Sequence, residues 1–267
     1  MTLREKAQLA EKAARASGEM LLSHPHTPAK SKGFNDFVTE MDVASEKLIR
    51  SILLGECPED GFYGEESGES GSTDGRWIVD PIDGTSNFFK GYPLYTVSIA
   101  YELKGELVVG CVYCPATNEM FIGIKGEGAY LNGEPIHVSD VSVPKESFLH
   151  ISFNHRHPWA NDYIMERMPA ISKAVSDMRR SASAAYDLCC IASGRAEAFF
   201  ENRLYIYDVA AGIVILEEAG GRVTSWREGE TFDMHGNIIA SNGILHEFVR
   251  GLLLSGDTSA LDKENPI

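Results

Sequence analysis

Apolar residues recur at helical spacing over residues 3–23, where Leu3, Ala7, Ala10, Ala14, Met20 and Leu21 share one side, as in a helix with a single buried stripe. Residues 24–37 hold two prolines and a glycine and read as a loop. The pattern predicts a second helix over 39–54, with Ile49, Ile52 and Leu53 on its buried side. Short strands are expected at 61–65 and 76–80. The runs 94–101, 107–113, 119–124 and 129–131 then read as strands joined by tight turns at Lys104-Gly105 and Asn132-Gly133, because both dipeptides accept the positive φ that hairpin turns need. Beyond a loop at 141–146 the period alternates between two and 3.6. It gives a strand at 148–153, a helix at 161–173, a strand at 178–181, a helix at 184–193 and a strand at 195–201. A helix at 209–219 ends at Gly220-Gly221, the usual terminator. A last helix is expected at 244–253, with a frayed tail from Ser255. Helices first, then an antiparallel meander, then alternation predict stacked layers of helix and sheet.

Composition narrows the class. The chain has 267 residues, 43% hydrophobic and 24% charged, the balance of an ordinary globular protein. Its net charge of −15 argues against a nucleic-acid backbone as partner. No apolar run approaches the ~20 residues that span a bilayer, and the charged N-terminus lacks a signal-peptide core, so no membrane partner and a cytoplasmic location are expected. The five scattered cysteines fit reduced thiols. Cys111-Val112-Tyr113-Cys114 is a C-x-x-C, but no second pair or nearby histidine completes a zinc site, and small buried cysteines explain it. Cys189-Cys190, in a helical pattern, is read the same way. His155-Arg156-His157, ahead of a proline, reads as a solvated loop.

The chemistry concentrates in Trp77-Ile78-Val79-Asp80-Pro81-Ile82-Asp83-Gly84-Thr85-Ser86. The apolar run delivers Asp80 to a strand end. Pro81 fixes its own φ and Gly84 permits a tight turn, so both carboxylates can face one place. Oxygen donors in that grouping suit hard cations and metal-assisted phosphoryl transfer. A Pro-x-Asp-Gly run is also an ordinary turn. Gly84, Thr85 and Ser86 are expected to begin a helix, whose open N–H groups bind phosphate.

This motif, Gly64-Glu65-Glu66 before it and Tyr207-Asp208-Val209-Ala210-Ala211-Gly212 after it resemble the inositol monophosphatase family, over roughly residues 5–250. The resemblance implies an α+β fold, a layered α-β-α-β-α sandwich of the sugar phosphatase type. The chain is then one unit, 1–267, with an N-terminal α+β part to about 145 and a C-terminal α/β part from about 146. The implied metal ligands are Glu65, Asp80, the Ile82 carbonyl, Asp83 and Asp208, holding roughly two or three Mg²⁺ ions, with inhibition by lithium. Five converging acids need such cations, since two unit charges ~4 Å apart repel by about 4 kcal/mol at an effective dielectric near 20.

Each residue also has a structural explanation. Glu65 can be a loop glutamate, and Asp208 a helix N-cap. Asp42 fits a capping box in Thr39-Glu40-Met41-Asp42. The resemblance implies that Asp42 and Thr85 orient and deprotonate the attacking water, in direct hydrolysis without a covalent phosphoenzyme. Asp36 matches a family position and is expected to support the Asp42 helix. Gly84, Thr85, Ser86, Ser183, Ala184 and Glu201 are the implied substrate contacts. Glu201 would accept hydrogen bonds from ring hydroxyls, or is an edge-strand charge; beside the ring it favours a neutral polyol such as inositol 1-phosphate over a bisphosphate. Two departures stand out. Tyr207 occupies a place that is commonly Trp. The family's loop lysine is replaced by Ser31, flanked by Lys30 and Lys32, neither of which is assigned. A homodimer is implied by resemblance alone.

Other readings stay open: a fructose bisphosphatase, histidinol phosphatase or 3′-phosphonucleotide phosphatase of the same family, or a non-catalytic binding protein on the same fold. Asp80-Pro81-Ile82-Asp83-Gly84-Thr85 also looks like the D-x-D-G-T motif of haloacid-dehalogenase-like phosphatases, but its acids are three apart instead of two.

Overall fold

A computed structural model describes residues 1–25, 27–33, 36–153, 161–227 and 235–256, with residues 32, 33, 36, 37 and 235 described by backbone alone. In chain order its elements are α1 (Leu3–Ser23), β1 (Ala29–Gly33), β2 (Asp36–Thr39), α2 (Glu40–Glu56), β3 (Gly61–Gly64), β4 (Gly68–Ser70), β5 (Gly75–Asp83) and α3 (Thr85–Lys90). The meander follows as β6 (Thr96–Leu103), β7 (Glu106–Cys114), β8 (Glu119–Ile124), β9 (Gly128–Leu131) and β10 (Glu134–Ile136). Then come β11 (Phe148–Ile151), α4 (Asn161–Ala174), β12 (Asp177–Arg179), α5 (Ala184–Ala192), β13 (Ala198–Tyr205), α6 (Ile206–Glu218), β14 (Arg222–Thr224), β15 (His235–Ser241) and α7 (His246–Leu253).

Three apolar clusters give five layers. The eight-stranded sheet, ordered β10-β9-β8-β7-β6-β5-β3-β4, turns Trp77, Val79, Val97, Ile99 and Cys111 toward α1 and α2. Strand alternation sends Ile78, Ala100, Val112 and Phe121 to the other face, against α5 and α6. Those helices also cover Phe199, Ile238 and Ala240 of the five-stranded sheet β12-β11-β13-β15-β14. Leu149, Ile151, Ala198, Phe200 and Ile239 fill its far side, under α4 and α7. The result is the α-β-α-β-α sandwich that the resemblance implied. The middle helical layer joins residues from both halves of the chain.

Two glycines set how closely the middle layer lies on the first sheet. A Cβ on Gly110 would meet the Ala211 carbonyl oxygen at 2.2 Å, and one on Gly123 would meet Ile215 Cα at 2.7 Å. Both neighbours are backbone of α6, the helix that carries Asp208 in its first turn. Gly110→Ala must therefore push α6 off the sheet. The expected loss is about 1–3 kcal/mol, read as a fall of ~3–10 °C in melting temperature for a chain of this size. An unchanged melting temperature would show that α6 is free to move.

The structure departs from the expected elements at several points. β1 and β2 form an antiparallel pair, largely within the 24–37 stretch expected as a loop; Ala-Lys-Ser-Lys-Gly has no apolar alternation to show it. β13 begins at Ala198 and runs on to Tyr205, through a bulge between Glu201 and Leu204 at which Arg203 takes φ +55. α6 starts three residues earlier than expected, so Asp208 is its third residue and Tyr205 its N-cap. β4, β10, β14 and β15 were not anticipated; the first three have only three residues each. The turns at Lys104-Gly105 and Asn132-Gly133 do take positive φ at both residues. All five cysteines are buried and free. The His155-Arg156-His157 segment and most of the tail expected from Ser255 lie outside the described residues.

Candidate functional site

β5 sets the site. Its residues Trp77–Val79 are buried between helical layers, and the chain stays buried through Ile82. Regular pairing with β6 breaks between Asp80 and Asp83. At the break the Asp80 carboxylate folds back, and its Oδ1 accepts the Ile82 N–H at 3.0 Å. Gly84 then takes φ +94, a conformation that only glycine adopts readily, and α3 begins at Thr85. Asn87 pins α3 by donating through Nδ2 to the carbonyls of Leu94, at 2.6 Å, and Ser181, at 2.8 Å. The Ser181 bond brings the 181–184 loop to the motif; a Cβ on Gly84 would lie 3.2 Å from the Ala182 oxygen.

Asp42 serves two ends at once. Its Oδ2 accepts from Thr39 N at 2.7 Å and Thr39 Oγ1 at 2.6 Å, which closes the expected capping box on α2. Its Oδ1 accepts from Thr85 Oγ1 at 2.9 Å, and the same hydroxyl lies 3.0 Å from the Ile82 carbonyl. The capping and the reactive readings of Asp42 are thus compatible, one per oxygen. Next along α2, Ser45 Oγ donates to the Pro81 carbonyl at 3.2 Å and Glu46 Oε2 accepts the Glu66 N–H at 2.8 Å. Neither residue stood out in the sequence, since a buried polar residue on a helix leaves no signature when its partner is distant.

Asp83 is gripped from the other half of the chain. Its Oδ2 accepts from Ser183 Oγ at 2.7 Å and Ala185 N at 2.8 Å. Ser183, expected as a substrate contact, is the N-cap of α5 and almost wholly buried, and its hydroxyl is hydrogen-bonded to Asp83. Glu65 continues β3, with its N–H on the Val79 carbonyl at 3.1 Å. Asp208 Oδ2 accepts the Tyr205 N–H at 2.7 Å. Tyr207 stacks on Tyr205, ring centroids 5.2 Å apart and 11° from parallel, and meets Tyr63 edge-on at 5.9 Å, so an aromatic wall persists without the Trp.

Burial and mutual charge mark the acids as neighbours. Burial, then the charges of Glu65, Asp83, Asp208 and Asp42, push the Asp80 carboxyl well above the usual range. Burial raises Asp83 to about 7, with Asp187 adding to the rise and the Ser183 and Ala185 hydrogen bonds opposing it. Glu201, on β13, is also pushed well up, by burial and then by Asp208 and Asp187. Asp42 rises through burial, against its bonds from Thr39 and Thr85. Among the described residues, no lysine, arginine or histidine is a leading influence on any of these four groups. The acids share a neighbourhood rather than a coordination shell: among the described residues, no three His, Cys, Asp or Glu side chains are gathered tightly enough to enclose an ion. The donor set is nevertheless all oxygen and acidic, buried except for the half-buried Glu65, which fits a hard divalent cation.

Of the remaining expected residues, Ser86 follows Thr85 in the first turn of α3 and is exposed, and Ala184 is buried at the start of α5. Lys30 is exposed on β1, and the side chains of Lys32 and Asp36 lie outside the described residues.

Residues 2–255 match the model of the inositol monophosphatase family. The Nus factor SuhB of Vibrio cholerae is 38% identical over 240 residues, which cover 88% of this chain and 90% of that protein. A fructose-1,6-bisphosphatase/inositol-1-monophosphatase of Aquifex aeolicus is 36% identical over 252 residues, 92% of this chain and 94% of that protein. The crystal structure of the extragenic suppressor protein suhB from Bartonella henselae superposes with a TM-score of 0.89 at 34% identity, over 94% of this chain and 98% of that one. Sequence, layering and the convergence of acids from both halves agree: the chain belongs to the inositol monophosphatase family.

Proposed function

We propose that this chain is a Mg²⁺-dependent phosphatase for phosphate monoesters of a neutral polyol, with inositol 1-phosphate as the leading substrate. The observation that carries the reading is the burial of Asp80 among Glu65, Asp83, Asp208 and Asp42, an accumulation of negative charge that divalent cations relieve. Glu65, Asp80, Asp83, Asp208 and the Ile82 carbonyl would hold them. Once bound, the cations would supply Lewis-acid stabilisation of the phosphoryl oxygens and of the leaving alkoxide.

The chain's own groups do the rest. Thr85 Oγ1 passes its proton toward Asp42 Oδ1, which leaves its lone pairs to orient the attacking water and accept a proton from it. Burial raises Asp42 and makes it a stronger base. The first-turn N–H groups of Thr85 and Ser86 have no partner within so short a helix and would bind phosphate oxygens. Glu201 would accept a ring hydroxyl.

The test is a panel of phosphomonoesters assayed for kcat/KM with Mg²⁺, repeated on Glu201→Gln. Inositol 1-phosphate should exceed fructose 1,6-bisphosphate, histidinol phosphate and a 3′-phosphonucleotide. Glu201→Gln should raise KM for the polyol ester by roughly tenfold, the effect of about 1.4 kcal/mol from one hydrogen bond to a charged group. A bisphosphate at the head of the panel would overturn the substrate, and no turnover of any ester would overturn the enzyme. The name Nus factor, borne by several relatives, favours a second reading, a non-catalytic role through macromolecular contacts. A variant lacking turnover that keeps the biological role would support it. A homodimer is our expectation, checked by sedimentation.

A further inference from the structure

Strand alternation on β11 sends Leu149 and Ile151 into the outer core under α4 and α7. It sends His150 and Ser152 to the opposite face, toward α5. His150 is only 8% exposed, and its Nδ1 is hydrogen-bonded to Asp187 Oδ1. Asp187 stands in the first turn of α5 and is fully buried. Among the described residues its second oxygen, Oδ2, has no partner at hydrogen-bonding geometry, with the Ser181 hydroxyl and the Arg180 charge near enough to favour the carboxylate. The Ser181 hydroxyl also donates to the Ser183 carbonyl at 3.0 Å and accepts the Ser183 N–H at 2.9 Å. An imidazole and a carboxylate buried together are weak contributors to stability, and apolar side chains of similar volume commonly do as well. Packing alone does not explain them.

Their position does. Asp187 follows Ala185 by two residues, and Ser183 and Ala185 are the groups that hold Asp83 Oδ2. The turn is tied to the first sheet by Thr96 Oγ1, 3.1 Å from Ser183 Oγ, and to α3 by Asn87 on the Ser181 carbonyl. The His150–Asp187 bond ties it to the second sheet. The turn that grips Asp83 is thus clamped from both layers, and Ala182 just before it is held at φ +65, a strained conformation for a residue with a Cβ.

We propose that His150 is a positioning residue: through its bond to Asp187 it fixes the first turn of α5 and so the orientation in which Asp83 meets a divalent cation. This rests on the reading of Asp83 as a metal ligand. The carboxylate of Asp187 also raises both Asp83 and Glu201, which places the pair close to both the metal and the ring ends of the site. Such supporting partners typically change metal affinity by ~10–100-fold when removed.

The test uses the full chain with His150→Leu and His150→Asn. Leucine removes the donor. Asparagine places an amide N–H where Nδ1–H stood and keeps the bond to Asp187. Mg²⁺ binding is measured by titration calorimetry without substrate, and Mg²⁺ dependence of turnover separately. His150→Leu should weaken Mg²⁺ binding by at least ~10-fold, raise the Mg²⁺ needed for half-maximal rate by the same factor and leave the substrate KM at saturating Mg²⁺ within about twofold. His150→Asn should return binding to within about threefold of the parent. Equal Mg²⁺ affinity in His150→Leu and the parent overturns the proposal, and so does a His150→Asn as impaired as His150→Leu. If His150→Leu does not fold, His150→Gln replaces it: its N–H sits one bond farther out, and it should lose affinity as leucine would. A parent chain that takes up no Mg²⁺ overturns the metal reading of Asp83 and this proposal together; a parent that binds Mg²⁺ without difference among the variants overturns only the pairing.

Discussion

Asp80→Asn is expected to lower kcat/KM by at least ~10³-fold and, in the same protein freed of metal, to raise the melting temperature. The two effects share one cause. Asp80 is buried, and the charges nearest to it are the carboxylates of Glu65, Asp83, Asp208 and Asp42. Asparagine has the same shape and its oxygen can keep the bond from Ile82 N, so what changes is the charge. Without a cation, that charge opposes folding. A carboxyl raised in the folded state binds its proton more tightly there than in the unfolded chain. Its contribution is therefore most favourable below the unfolded value near pH 4 and is lost as pH rises toward the folded value. Asp83 behaves in the same direction, between the unfolded value and about 7. The metal-free parent should accordingly lose stability between pH 5 and pH 8, and Asp80→Asn should flatten that slope. At pH 8 in chelator the variant should melt at least ~2 °C above the parent, the shift that about 1 kcal/mol produces in a domain of this size. Mg²⁺ at 100 times its dissociation constant should restore about 2.7 kcal/mol to the parent and little to the variant. Full activity in Asp80→Asn would remove the metal site from this position. A variant less stable than the metal-free parent would show that these acids do not repel one another.

The split between what the sequence revealed and what it hid follows the range of the interactions. Local patterns were legible: the alternation of Trp77 to Val79, the capping box of Thr39 and Asp42, and the positive-φ pairs at Lys104-Gly105 and Asn132-Gly133. The three acidic motifs were legible because each is contiguous, and the resemblance joined them. Contacts between distant segments were hidden. The Ser183 hydroxyl on Asp83 crosses 100 positions, and nothing near Ser183 distinguishes a side chain that faces a ligand from one that holds a carboxylate. His150 and Asp187, 37 positions apart, carry no motif at all. The β1 and β2 pair was missed for a different reason: Ala-Lys-Ser-Lys-Gly of β1 has no apolar alternation, and Phe37-Val38 of β2 is too short a run to stand out. The early start of α6 was missed because Ile206 and Tyr207 suit a strand as well as a helix, and the register of the helix was decided by the Asp208 bond back to Tyr205 N.

Thr85→Val should lower kcat by ~10²–10⁴-fold, the range of a positioned proton acceptor, with the KM for substrate changed far less. Valine matches threonine in shape and removes only the hydroxyl that lies between Asp42 Oδ1 and the Ile82 carbonyl. Thr85→Ser keeps that hydroxyl and should stay within about tenfold of the parent. Asp42→Asn tests the other end. The Asp42 oxygen that accepts from both the N–H and the hydroxyl of Thr39 must remain an oxygen, because an amide nitrogen there would face two donors. The amide N–H₂ is then turned toward Thr85 and can no longer take its proton. The cap survives, so stability should fall by no more than about 1 kcal/mol, while kcat falls as in Thr85→Val. Two groups that move one proton act as a unit. The double variant should therefore be no slower than the slower single variant. If the two losses multiply instead, Thr85 and Asp42 work separately, and the hydrogen bond between them only caps and fastens α2.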